Sequence, residues 1–326
     1  MKRLTAILLS ALLCLSLLTA CTGGGESSSG SGSTPEIAQP MNYKYQLDSE
    51  GVTVHDEWID SRGIQIPATL TLPAGQEGDR VPLVIFSHDF LGDRSTGGAF
   101  EEMALALAEQ GVASITVDFS GCGDSTEDFS ASSLLYMESD LKSARNYAIE
   151  NAPIDSERIG LFGYGLGGRV ALEMAALKDS PYTAVSLLAP MTDTPEATMR
   201  SLLGDSYDTL RAQAFSEQRS AEYTGPDGVV RTLSVNWFDD IDLSQPLKNM
   251  QHLKGAMQVL YTPGDTVVPQ SVITQLTEAS QAGSASLLVV GVPDTDHGFG
   301  LTEEGSAPRA QVVEAVSSFF AQAFAE

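Results

Sequence analysis

Six short apolar runs, separated by longer stretches with helical spacing, constrain the fold of this chain more than any other feature. They are VPLVIFS (81–87), VASITVDF (112–119), RIGLFGY (158–164), TAVSLLAP (183–190), AMQVLYT (256–262) and SASLLVVGV (284–292). Apolar residues fall on consecutive rather than alternate positions, the mark of strands buried on both faces in a parallel sheet. Between the runs lie stretches of helical pattern at 99–110, 133–150, 167–178, 270–281 and 308–324. Strand and helix in alternation predict an α/β chain, a mostly parallel sheet with helices on both faces. Ahead of them, VTVHDEWI (52–59) and IQIPATLTL (64–72) alternate instead, and predict an antiparallel pair turning at Arg62-Gly63.

The rhythm breaks once. About 64 residues separate Pro190 from Gly255, too many for a plain connection. This segment, about 191–255, carries a helical piece near 195–220, a turn signal at Pro226-Asp227-Gly228 and the aromatic pair Trp237-Phe238. It reads as a cap insertion over the carboxyl edge of the sheet, the edge at which open α/β sheets bind ligands. Tyr207, Tyr223, Trp237 and Phe238 are its candidate substrate contacts.

The first residues have a different character. Lys2 and Arg3 precede an acid-free apolar stretch from Leu4 to Leu18. That pattern is a secretory signal, short of the roughly 20 residues a bilayer span needs. It ends in Leu18-Thr19-Ala20-Cys21, which resembles a bacterial lipobox, so the reading is a signal peptide over 1–20 and lipidation of Cys21. Residues 21–41 then form a Gly/Ser-rich tether, too polar to offset its own ordering entropy, with a reach of about 25 Å. The expected protein is lipid-anchored at the extracytoplasmic face, with one globular domain over 42–326.

Charge and cysteine content narrow the partners. The formal charge is −25, and loss of Lys2 and Arg3 with the signal makes it more negative. Such an acidic chain repels polyanions, which argues against nucleic acid as a partner. Of three cysteines, Cys14 leaves with the signal and Cys21 carries lipid, so Cys122 stands alone. With four histidines and no paired-cysteine spacing, neither a metal nor another cofactor is expected.

Five motifs in order carry a resemblance to a known family. They are Ser87-His88-Asp89-Phe90-Leu91-Gly92, Asp118-Phe119-Ser120-Gly121-Cys122-Gly123-Asp124-Ser125, Gly163-Tyr164-Gly165-Leu166-Gly167-Gly168, Gly264-Asp265-Thr266-Val267-Val268-Pro269 and Asp296-His297-Gly298-Phe299. Over about residues 50–324 the chain resembles the α/β-hydrolases, and among them the cinnamoyl and feruloyl esterase type related to the serine aminopeptidase-like hydrolases. The resemblance implies a nucleophile elbow at Gly163–Gly167 and an acid and base at Asp265 and His297. It also implies an oxyanion hole from the backbone amides of Phe90 and Leu166. Two positions depart from the pattern: Gly165 stands where the nucleophilic serine belongs, and Asp89 where many relatives have glycine.

Glycine at the elbow has no side chain to attack a carbonyl, so no acyl-enzyme can form there. Loss of a triad serine costs about 10⁶-fold in kcat. The expected function is therefore that of a surface-anchored relative of carboxylic ester hydrolases, catalytically impaired, that still takes a small ester or acyl ligand. Two alternatives stand beside it. One is a slow or non-standard hydrolase in which His297 activates water, and the other a non-catalytic ligand-binding surface lipoprotein. Cys122, with no basic neighbour in sequence, reads as a filler of space rather than a substitute nucleophile. If all else is in place, serine at 165 should by itself restore esterase activity.

Overall fold

The computed structural model describes residues 43–325. The expected signal peptide, the expected lipidation site Cys21 and the expected tether through 41 lie outside the described residues. Among those described, no helix is long and apolar enough to cross a membrane.

Eight strands form one sheet. They are β1 (Thr53–Ser61), β2 (Ile64–Leu72), β3 (Val81–Ser87), β4 (Ala113–Val117), β5 (Ile154–Tyr164), β6 (Ala184–Leu188), β9 (Ala256–Tyr261) and β10 (Ser286–Gly291), with spatial order β1-β2-β4-β3-β5-β6-β9-β10. Strand β1 pairs antiparallel with β2, and β2 antiparallel with β4; from β4 onward every pairing is parallel. The composition of each strand follows its place. Central β3, β4 and β6 are buried at every position, whereas β1 alternates along most of its length between half-buried and exposed residues.

Helices α1 (Ala99–Glu109), α2 (Leu134–Asn151), α3 (Gly165–Ala175), α7 (Gln270–Ser280) and α8 (Ala307–Ala323) connect and cover the strands. Helix α2 begins where Ser133 accepts a hydrogen bond from the Tyr136 amide at 3.3 Å, a side-chain cap that satisfies one otherwise unpaired donor. Helix α1 packs on α8 and α2 on α3.

Between β6 and β9 lie α4 (Pro195–Leu203), α5 (Tyr207–Ala214), a hairpin of β7 (Ser220–Thr224) and β8 (Val230–Ser234), and α6 (Val235–Leu243). The single helical piece expected over 195–220 is two helices. Gly204 separates them with φ +57° and starts a short 3-10 turn through Ser206.

This insertion is tied to the sheet by a buried cation. Arg169 on α3 is fully buried. Its guanidinium donates to the carbonyls of Met191 (2.8 Å), Asp193 (3.0 Å) and Ser244 (2.9 Å), and to the hydroxyls of Thr198 (3.1 Å) and Ser244. Burial lowers its pKa to about 10, with Glu173 and Asp193 opposing the fall. One side chain thus clasps both ends of the insertion to the helix that follows the elbow.

Candidate active site

Strand β5 runs into α3 without an intervening residue: Tyr164 ends the strand and Gly165 begins the helix. So abrupt a turn needs a left-handed residue, and Gly165 has φ +54°, a conformation that costs a residue with a Cβ about 1–2 kcal/mol. The turn also needs close approach of strand and helix. A Cβ on Gly163 would lie 2.7 Å from the Gly168 Cα, so only glycine fits at 163.

The space in front of the elbow is filled from another loop. After β3 the chain turns through His88 and Asp89, and the Asp89 carboxylate reaches Gly165. Its Oδ1 accepts hydrogen bonds from the backbone amides of Leu166 and Phe90, both at 2.7 Å. Its Oδ2 lies 3.3 Å from His297 Nε2. These amides are the two that the sequence resemblance assigns to an oxyanion hole, and both are spent on the protein's own carboxylate. A Cβ at 165 would overlap that carboxylate, coming within 2.6 Å even of its more distant oxygen.

The loop that carries Asp89 is held from behind. The Asp89 carbonyl accepts from the Gly92 amide at 2.9 Å and from His88 Nδ1 at 2.8 Å, while His88 Nε2 accepts from the Phe119 amide at 3.2 Å. This pattern assigns His88 the neutral tautomer protonated at Nδ1, and burial lowers its pKa in the same sense. The second motif holds the same loop. Buried Asp118 accepts from the amides of Arg94 (2.7 Å) and Asp124 (2.9 Å) and pairs with the Arg94 guanidinium. His88 and Asp118 are therefore structural supports for Asp89.

On its other side, His297 meets Asp265. Its Nδ1 lies 2.8 Å from Asp265 Oδ2, and Asp265 Oδ1 accepts from the amides of Val267 (2.7 Å) and Val268 (2.8 Å). The Asp265 side chain is 2% exposed, those of His297 and Asp89 15% each. Burial by itself would lower the His297 pKa. Hydrogen bonds to Asp265 and Asp89, and the charges of both, outweigh it and raise the value to about 9. At neutral pH an imidazolium thus lies between two carboxylates. It is not a base in that state.

Gly165, Asp265, His297 and the amides of Phe90 and Leu166 are thus brought together as the sequence pattern anticipates. Of the four aromatic candidates, Trp237 and Tyr223 meet the Phe90 ring at 5.6 and 6.0 Å between centroids. Phe238 packs behind Trp237 and against Phe215, and Tyr207 is buried under the Arg200 guanidinium, so both belong to the interior of the insertion. Cys122 is buried, and burial pushes its thiol up to about 12, which leaves it without thiolate at neutral pH.

Sequence reasoning marked Asp89 only as a departure from glycine and assigned it no place in the site. It also expected serine at 165 to suffice for activity. The occupied elbow corrects that expectation, because the hydroxyl has no room while Asp89 keeps its present position.

Comparison with known proteins adds the lineage. The family described as "Serine aminopeptidase, S33" matches residues 82–290. A curated relative, an uncharacterised 31.7 kDa protein of Escherichia coli from the traX-finO intergenic region, is 34% identical over 129 residues. That match covers 40% of this chain and 43% of the relative, so the chain spans under half the length of the curated relative it matches. Among solved structures, Est1E from Butyrivibrio proteoclasticus, with ferulic acid bound, superposes with a TM-score of 0.66 at 22% identity, covering 83% of this chain and all of that one. The esterase domain of a Rhodothermus marinus protein gives 0.58 at 20% identity, covering 83% and 98%. At these identities the likeness establishes the fold, the α/β-hydrolase fold.

Proposed function

The chain belongs to the serine aminopeptidase S33 family, and from that premise we propose that it is a surface-anchored protein of esterase descent in which the serine route to ester hydrolysis is closed. One observation carries the reading: the Asp89 carboxylate occupies both oxyanion amides and the partner position on His297. Acyl transfer requires a nucleophile, a neutral base and a vacant pair of donors for the carbonyl oxygen. Here the nucleophile is absent, the base is protonated by its two carboxylate neighbours and the donors are engaged. The same protonation disfavours a route in which His297 activates water against an ester.

The ligand class is a small ester or aromatic acid. Ferulic acid bound to Est1E supports it, as does the half-buried Phe90 ring beside the elbow, which the buried Trp237 and Tyr223 back from the insertion. Anchoring rests on the lipobox-like Leu18-Thr19-Ala20-Cys21 and on two or three acyl chains being sufficient for stable attachment.

The test is stopped-flow hydrolysis of 4-nitrophenyl acetate and methyl ferulate, with calorimetric titration of ferulate in parallel. Expected are ferulate binding, no burst, and turnover no faster than that of His297→Gln. A burst from the parent protein would end this reading.

A further inference from the structure

Helix α1 and the β1–β2 side of the sheet enclose a cleft of about 400 Å³, and none of Gly165, Asp89 and His297 lines it. Its floor is the face of β2 and β4 that carries Thr69, Thr71 and Thr116, and its walls are Val54 of β1 with Phe100, Ala104 and Leu105 of α1.

That floor is polar where a sheet face under a helix is ordinarily apolar. Thr69 is engaged: its hydroxyl donates to Asp56 at 2.7 Å and accepts from Arg94 at 3.3 Å. Thr71 and Thr116 are only 3% and 5% exposed, yet neither hydroxyl has a hydrogen-bond partner among the described residues. Ser114, 1% exposed, sits opposite Thr71 in the ladder and two residues before Thr116, so its side chain is directed to the same face. Its Oγ, too, is without a partner among the described residues. Buried hydroxyls left unpaired cost free energy, and here they keep hydrogen-bonding capacity for a bound group.

The rim is anionic. Five of the lining residues are acidic and one, Arg94, is basic. The Arg94 guanidinium is already paired with Asp118 and Asp124, which leaves Asp56, Asp93 and Glu101 as carboxylates without a cation among the described residues. Their field adds to that of a chain with formal charge −25 and draws cations toward the cleft.

We infer that the cleft binds a small aliphatic polyamine. The carboxylates call for positive charge, but they are dispersed: among the described residues no three His, Cys, Asp or Glu side chains could hold one metal ion. Charges spaced along a chain match them better than a single ion does. The apolar walls cover the methylenes between those charges. Ammonium groups, which only donate, meet hydroxyl oxygens that lack a donor.

The experiment titrates the full chain with spermidine by calorimetry in about 0.15 M salt, where surface attraction is screened beyond roughly 8 Å. One spermidine per chain should bind, with saturation below about 1 mM. Butylamine, which carries a single charge, should bind about tenfold more weakly. Asp56→Asn with Glu101→Gln, isosteric and on exposed side chains, should weaken spermidine about tenfold as well. Thr71→Val with Thr116→Val should weaken it about fivefold through the lost hydrogen bonds.

Absence of saturable binding would overturn the proposal, as would butylamine binding as tightly as spermidine. So would an affinity unchanged in the rim variant or in a folded threonine variant. Displacement by magnesium at the same ionic strength would also overturn it, because that marks a general counterion atmosphere rather than a site. Should the threonine variant fail to fold, the rim variant decides alone.

Discussion

Serine at position 165 should be poorly tolerated and inactive in the native background, yet productive once Asp89 is removed. The reasoning is steric and electrostatic. A Cβ at Gly165 overlaps the Asp89 carboxylate, so Gly165→Ser must expel a group that accepts two amide hydrogen bonds at 2.7 Å. Hydrogen bonds to a charged group contribute about 1.5–3 kcal/mol each. The left-handed backbone at φ +54° adds about 1–2 kcal/mol for any residue with a Cβ. The sum is on the order of 5 kcal/mol, or a fall in Tm of about 10 °C at roughly 2 °C per kcal/mol for a domain of this size. In an Asp89→Gly background the same serine should cost only the backbone contribution, about 1–2 kcal/mol. Its hydroxyl would then face a His297 freed of one carboxylate, with the Phe90 and Leu166 amides open to a substrate carbonyl. The double variant should hydrolyse 4-nitrophenyl acetate several orders of magnitude faster than either single variant, as expected when a triad serine is regained. Thermal melts and ester hydrolysis on the four proteins of this cycle decide the matter. If Gly165→Ser alone is as active as the double variant and melts within about 2 °C of the parent, Asp89 does not hold the elbow and the reasoning fails.

Three further outcomes follow from the same structure. His297 has a folded pKa of about 9 against about 6.5 unfolded, so its protonation stabilises the fold fully below pH 6.5, and that contribution, about 3 kcal/mol, is lost as pH rises through 9; denaturant midpoints at pH 6 and pH 10 should show the loss, and Asp89→Asn should shrink it. Arg169→Met leaves the carbonyls of Met191, Asp193 and Ser244 without their buried donor and should cost about 3–5 kcal/mol, with proteolysis beginning in the segment between β6 and β9; a fully stable, protease-resistant variant would refute the clasp. Cys21→Ser should move the protein from the membrane fraction to the soluble or unprocessed fraction of the expressing bacterium, and maturation with unchanged membrane association would remove the anchor.

The strands were legible because burial leaves a local trace. Runs such as VPLVIFS coincide with β3, and the pair at 52–72 with β1 and β2. Strand β5 starts at Ile154, four residues ahead of its apolar run, because Asp155, Ser156 and Glu157 interrupt the pattern while Ile154 still pairs with Val81 across a register shift. Helix α3 starts two residues before its helical pattern suggests, at Gly165, since the glycines of the elbow hide the pattern. At the site, the order of the five motifs put forward Gly165, Asp265 and His297, which lie far apart in sequence and which the fold brings together around Asp89. What spacing cannot carry is the aim of a side chain. The Asp89 carboxylate meets the Leu166 amide across 77 positions and His297 across 208, contacts set by the loop that His88 and Asp118 hold. Arg169 was illegible for a related reason: its partners at 191, 193, 198 and 244 exist only after the insertion has folded.

Gly165 and Asp89 are best understood as one change rather than two. Glycine at the elbow, taken alone, would leave a gap beside two amides and a histidine whose Nε2 has lost its partner, and buried donors without acceptors are costly. Aspartate at 89, taken alone, would collide with a serine at 165, because the Cβ of any residue there meets its carboxylate. Each residue is tolerated by virtue of the other: the carboxylate satisfies both amides and charges the imidazole, and the missing Cβ gives it room to do so. The pairing therefore leaves the elbow closed by the Asp89 carboxylate, with His297 held between it and Asp265, the latter at 2.8 Å.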